Sequence, residues 1–159
     1  MRNGSPGMAD ACLIDATILV YTMDDTESEK RQHCLRLVKE LAALRIAALT
    51  TQTLGEFFNA VTRRLRDPLS QLDALSQLAA YADAFPVYDI TLPIVLEAAR
   101  GAHQHQMSYW DAQVWATAKL NQIPCVLTEN MQGRGLLEGV RFVNPLAEGF
   151  DLSILTGRR

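Results

Sequence analysis

Apolar positions along the chain follow two alternating rhythms. Short unbroken runs at residues 11–14, 46–49, 86–88, Cys125–Leu127 and 141–143 have the length and composition of buried strands. Between them the apolar residues recur at helical spacing. Leu35, Val38, Leu41 and Ala42 predict a helix over about 29–44, with Lys30, Arg31, Arg36, Lys39 and Glu40 largely on its other faces. Leu54, Phe57, Phe58, Val61 and Leu65 predict a helix entered at Thr50-Thr51 and ended by Asp67-Pro68. Ser70 opens a third helix, with Leu72, Leu75, Leu78, Ala79 and Ala82 expected inside. Thr91-Leu92-Pro93 starts a fourth that runs to about His105, and Ser108 a fifth that ends near Asn121. Strands alternating with helices predict an α/β fold: a three-layer α/β/α sandwich on a mostly parallel central sheet.

The 159 residues suffice for one well-packed domain, expected over residues 11–150. Residues 1–10 read as a leader, either a cloning remnant or an upstream start, and 151–159 as a tail that docks as a short helix or stays mobile. A net charge of −3 excludes a general duplex-DNA binder with a basic face, while leaving room for a small basic patch. The three cysteines, Cys12, Cys34 and Cys125, have neither zinc-like nor redox-motif spacing and read as reduced core residues of a cytoplasmic protein. No apolar run approaches the ~20 residues that span a bilayer, so no membrane role is expected.

Four acids stand out by position. Asp15 ends the first strand between two apolar runs, and Glu129 follows the Cys125–Leu127 strand. Glu56 lies in the first turns of its helix, and Asp111 shares a helical face with Val114, Trp115 and Ala118. Each has an ordinary explanation: Asp15 or Thr17 as a helix cap, Ser108 with Asp111 as a capping pair, Glu56 on a solvated face, Glu129 in a polar loop. Taken together, all four places fall on the carboxyl edge of a parallel sheet, where ligands bind. Converging carboxylates repel unless divalent cations neutralise them, and oxygen-rich clusters suit Mg²⁺ or Mn²⁺. The chemistry such a cluster supports best is metal-assisted attack of water on a phosphodiester.

Leu13-Ile14-Asp15-Ala16-Thr17-Ile18-Leu19-Val20-Tyr21, Thr53-Leu54-Gly55-Glu56-Phe57, Ser108-Tyr109-Trp110-Asp111-Ala112 and Leu127-Thr128-Glu129-Asn130-Met131-Gln132-Gly133 resemble, in order, the motifs of PIN-domain nucleases. Within these the chain is most similar to the VapC-type toxins of bacterial toxin–antitoxin pairs. The resemblance implies a PIN-like sandwich and an Mg²⁺- or Mn²⁺-dependent endoribonuclease. It also implies a homodimer held in check by a cognate antitoxin.

By this resemblance Asp15, Glu56 and Asp111 are the catalytic acids and metal ligands, with Glu129 or Asn130 completing the site. Thr17, Asn59 and Arg63 are the candidates for contact with RNA, with Arg64 beside them. Two positions depart from the family pattern. Thr17 stands where asparagine or serine is common, and Asn130 where the last aspartate is usual. Asn130 therefore leaves a second reading open, a catalytically weakened domain that binds RNA or antitoxin. An aspartyl-phosphate phosphatase is disfavoured because Thr17 occupies the place of its second acid. His103 and His105, two apart on a helix, point in different directions and read as surface residues rather than a metal pair.

Overall fold

The computed structural model describes residues 10–130 and 134–156. The expected leader, apart from residue 10, part of the last motif (131–133) and the end of the tail (157–159) lie outside them. The chain runs β1 (Cys12–Ile14), α1 (Ala16–Tyr21), α2 (Ser28–Leu44), β2 (Ala47–Thr50), α3 (Thr51–Arg63), α4 (Gln71–Ala84), β3 (Val87–Tyr88), α5 (Leu92–His105), α6 (Tyr109–Leu120), β4 (Cys125–Leu127), β5 (Leu136–Leu137), β6 (Val140–Val143) and α7 (Ser153–Thr156). The sheet order is β3-β2-β1-β4-β6-β5, parallel throughout except for the β5–β6 pair. This is the expected sandwich.

Alternation along the strands assigns each residue to one of two cores. Cys12, Ile14, Ala47, Leu49, Cys125 and Leu127 face α1 to α4, where Leu41, Phe57, Val61 and Tyr81 meet them. Leu13, Ala48, Val126 and Phe142 face α5 and α6, around the fully buried Trp115. The three cysteines are free and buried, as expected of core residues. Helices α5 and α6 approach closely because residue 101 is glycine. A Cβ there would lie 2.3 Å from Cζ3 of Trp115, inside any tolerable contact.

The caps follow the sequence. Thr50, Ser70, Thr91 and Ser108 each accept the backbone N–H three residues on, opening α3, α4, α5 and α6. Several expectations are corrected. Helix α3 ends at Arg63 rather than at Asp67-Pro68, because Leu69 N–H bonds back to the Val61 carbonyl (2.9 Å) and folds the loop against the helix. On α2 the buried stripe is Cys34, Leu37, Val38 and Leu41, and Leu35 is exposed. On α4 the buried side is Ala74 and Tyr81, whose ring meets Phe57 edge-on at 5.3 Å. Leu72, Leu75, Ala79 and Ala82 face solvent instead of the core. No helix of the described residues is long and apolar enough to cross a membrane.

Candidate active site

Strand order reverses direction at β1: β2 and β3 extend to one side, β4 and β6 to the other. A crevice opens beyond the carboxyl ends of the strands at such a point. Here it is a cleft of about 750 Å³, walled by α1, by one side of α3 along its length, by the start of α6 and by Asn130 after β4.

Asp15, Glu56 and Asp111 all line this cleft. Asp15 does cap α1, its Oδ1 accepting from Ala16 N–H at 2.8 Å, while Oδ2 accepts from the Thr128 hydroxyl at 2.8 Å. Thr128 Oγ1 in turn accepts from Asn130 N–H (3.2 Å), so the turn after β4 holds the Asp15 carboxylate in place. Asp15 and Asp111 also border a void of about 10 Å³ with Thr128, Val114, Val126 and Phe142. That is room for about one water-sized occupant. Burial pushes the Asp15 carboxyl above its ordinary range and the Asp111 charge adds to the rise, against the hydrogen bonds from Thr128 and Ala16. Burial likewise raises Glu56, opposed by its Gln52 hydrogen bond, with further upward push from Asp15 and Asp111. The three charges therefore feel one another. Among the described residues none of them makes an ion pair; Arg64 on the cleft wall acts on Glu56 only through space.

Glu56 is held by a chain of side chains that the sequence did not announce. Tyr109 OH donates to Gln113 Oε1 (2.7 Å), Gln113 Nε2 to Gln52 Oε1 (2.7 Å), and Gln52 Nε2 to Glu56 Oε1 (3.0 Å) and to the Trp110 carbonyl (3.1 Å). Gln113 is buried where α6 meets α3 at the cleft wall. No local signal in the sequence marks Gln113, because only the approach of α3 and α6 buries it and gives its amide a partner.

The other expected residues divide. Thr17, Asn59 and Asn130 line the cleft. Arg63 does not; its neighbour Arg64 does. Glu129 is absent from the cleft lining and is paired elsewhere, with Lys30 Nζ at 2.9 Å and with the Tyr21 hydroxyl. Burial alone would raise its carboxyl, but those two donors outweigh it and hold it below the ordinary range. His103 is exposed, whereas His105 is half-buried against Glu138 (2.7 Å) and edge-on to Trp115.

A divalent cation fits this donor set. Asp15 and Asp111 line one cleft together with Thr17, Glu56 and Asn130. Thr17 Oγ1 is a buried side-chain oxygen that, among the described residues, has no hydrogen-bond partner of good geometry, although it lies close enough to Asp15 to favour its charged form slightly. Hard oxygen donors of this kind suit Mg²⁺ or Mn²⁺. Among the described residues no group of three Asp, Glu, His or Cys side chains is closed into a ready cage. Glu56 is instead hydrogen-bonded to Gln52.

A family model for the PIN domain matches residues 12–132, and the chain belongs to that family. No curated protein matches the sequence. Solved structures share the fold. A toxin–antitoxin complex from Klebsiella pneumoniae superimposes with a TM-score of 0.63 at 16% identity, covering 84% of this chain and 97% of that one. DNA-bound VapBC from Salmonella typhimurium gives 0.62 at 14%, covering 85% and 98%. The Sarcin-Ricin loop cleaving toxin VapC20 of Mycobacterium tuberculosis gives 0.59 at 18%, covering 82% and 98%.

Proposed function

We propose that this chain is a metal-dependent endoribonuclease toxin of the VapC type, acting in the cytoplasm and restrained by a cognate antitoxin. The observation that carries the reading is the convergence of Asp15, Glu56 and Asp111 on one cleft, electrostatically coupled and without an ion-pair partner among the described residues. Asp15 and Asp111 would hold Mg²⁺ or Mn²⁺, with Thr17 and Asn130 offering neutral oxygens. When bound, the cation supplies Lewis-acid polarisation of the scissile phosphate and a more acidic attacking water. Glu56, raised by burial and aimed by Gln52, orients that water and accepts its proton. Arg64 and Asn59 line the same cleft, which supports a role for them in contacting the RNA backbone.

Glu129 is left out of this assignment, since its ion pair with Lys30 ties the loop after β4 to α2. The exposed apolar stripe of α4, with Leu72 and Leu75, supports a protein partner on the outside of the fold, either the second subunit of a homodimer or the antitoxin.

The test is cleavage of a structured RNA by purified protein with Mn²⁺ or Mg²⁺, against Asp15→Asn. Metal-dependent cleavage lost in the variant is expected; equal cleavage by both would refute the assignment. Expression should arrest growth, and co-expression of the adjacent antitoxin should relieve it. A binding-only domain has one observation in its favour, the neutral Asn130 in the cleft wall. It predicts RNA binding by wild type with no cleavage at any metal concentration.

A further inference from the structure

The chain has two tryptophans, and they are treated oppositely. Trp115 is fully buried, with Arg100 and Lys119 over its ring. Trp110 is 60% exposed and stands on the cleft wall immediately before Asp111. An indole left open to water at that place invites an explanation in terms of what enters the cleft.

The ring leans on one aromatic neighbour. Its edge contact with Tyr109 has centroids 5.1 Å apart at 79°. The Trp110 carbonyl accepts from Gln52, the same side chain that aims Glu56, which ties the backbone under the ring to the site. An aromatic side chain with only two χ angles loses little freedom when a flat partner covers it. Its neighbours along the wall, Gln52, Glu56, Asp111 and Gln113, are hydrogen-bonding or charged side chains, and Arg64 lines the same cleft. That setting suits a partner with a flat apolar face, polar edges and a negative backbone better than the apolar side chain of a protein.

We propose that Trp110 is a nucleobase-stacking platform, on which one unpaired base of the RNA lies while the adjoining phosphate reaches the Asp15–Asp111 pair. This rests on the nuclease reading of the cleft. Trp110, Asp111 and Asp15 line the same cleft, so the stacked base and the phosphate facing the carboxylates belong to the same or adjoining nucleotides. A base inside a duplex has both faces covered and is not available to the ring. The substrate class is therefore a single strand, a loop or a bulge, with stacking that tolerates any base because every base has a π-face.

Trp115 provides a constant background, so tryptophan fluorescence reports on Trp110. Wild type, Trp110→Phe and Trp110→Ala are titrated in Ca²⁺ with a short single-stranded oligoribonucleotide, the same oligomer with abasic positions, and a duplex of the same sequence. The single strand is expected to quench wild type. Trp110→Phe should bind within about threefold of wild type. Trp110→Ala should bind roughly 5- to 100-fold more weakly, the range of one lost base–aromatic stack, and in Mn²⁺ its KM should rise with kcat changing less. The abasic oligomer should bind all three proteins alike.

Equal affinity and KM for Trp110→Ala and wild type would overturn the proposal. So would abasic RNA that still distinguishes the variants, duplex that quenches as the single strand does, or an alanine variant altered only in sedimentation mass, which would make the ring a protein contact. Absence of cleavage by wild type would refute the nuclease reading alone, since the binding titrations decide the stacking independently.

Discussion

Glu97 and Glu138 on the outer flank of α5 and α6, and Asp15, Glu56 and Asp111 in the cleft, are the same chemical groups in opposite surroundings. On the flank, Glu97 accepts from Arg100 (2.5 Å) and Lys119 (2.7 Å), and Glu138 from Arg100 (2.8 Å), Lys119 (3.3 Å) and His105 (2.7 Å). Hydrogen bonds from Arg100 and Lys119 bring Glu97 down from 4.5 to about 2, and those from His105 and Arg100 do the same for Glu138. In the cleft, burial and mutual repulsion push Asp15 and Glu56 the other way. The flank cluster is complete within the chain and serves the fold. The cleft cluster has no ion-pair partner among the described residues, and on the proposed function divalent cations supply the missing charge. Acid number is not what separates a structural from a functional group of carboxylates; the presence of built-in counter-charges is.

The largest expected effect is on activity. Asp15→Asn and Asp111→Asn should each lower RNA cleavage by at least about 10³-fold, read as kcat/KM at saturating Mn²⁺, because each removes a charged donor from the pair. A variant retaining a tenth of wild-type activity would remove that residue from the metal site.

Gln113→Leu comes next. It keeps volume on a buried face but releases the Gln52 amide, which then has no acceptor-side anchor to hold its NH₂ toward Glu56. We expect kcat to fall about tenfold with metal affinity little changed, and Gln113→Glu, which still accepts from Tyr109 but offers Gln52 no donor, to fail as a rescue. An unchanged kcat would make the glutamine chain purely structural.

The two clusters should also titrate with opposite sign. Glu97 and Glu138, lowered on folding, contribute stability that is present above about 4.5 and lost as pH falls toward about 2. Asp15 and Glu56, raised on folding, favour the fold below their ordinary range and cease to do so as pH rises through their raised values. Glu138→Gln should therefore cost about 1 kcal/mol at neutral pH, as a partly exposed network does, and flatten the acid side of the stability profile. In Asp15→Asn the metal-free profile should flatten on the other side. Denaturant unfolding at several pH values checks both.

The smallest effect is at Asn130. Asn130→Asp adds a fourth negative charge to the cleft wall and should tighten Mn²⁺ several-fold by calorimetry. No change would mean that the residue does not face the ion.

Much of this was legible in the sequence. Thr50, Ser70, Thr91 and Ser108 mark their helices because an N-cap oxygen is a local device, readable from a few residues. Asp15 and Asp111 stand out because a carboxylate on an apolar background is costly wherever it occurs. What escaped depends on distant parts of the chain. Glu129 and Asn130 are neighbours, but Lys30 and Tyr21, far away in sequence, take Glu129 away from the site. The leucines of α4 keep the spacing of a buried face, and only the packing of Tyr81 on Phe57 reveals that another side is inside. Leu136–Leu137 forms an edge strand too short for any periodicity. Gln52 and Gln113 look like surface polar residues until the helices carrying them are brought side by side.

The central claim is that the cleft carboxylates destabilise the metal-free fold and are relieved by a divalent ion. Thermal unfolding of wild type and Asp15→Asn at pH 7, each with EDTA and with millimolar Mn²⁺, tests it directly. The account predicts a metal-free Tm higher for Asp15→Asn than for wild type, together with a Mn²⁺-induced rise in wild type that is largely lost in the variant. A metal-free Tm lower in Asp15→Asn, with no response of wild type to Mn²⁺, would show Asp15 to be a helix cap and nothing more.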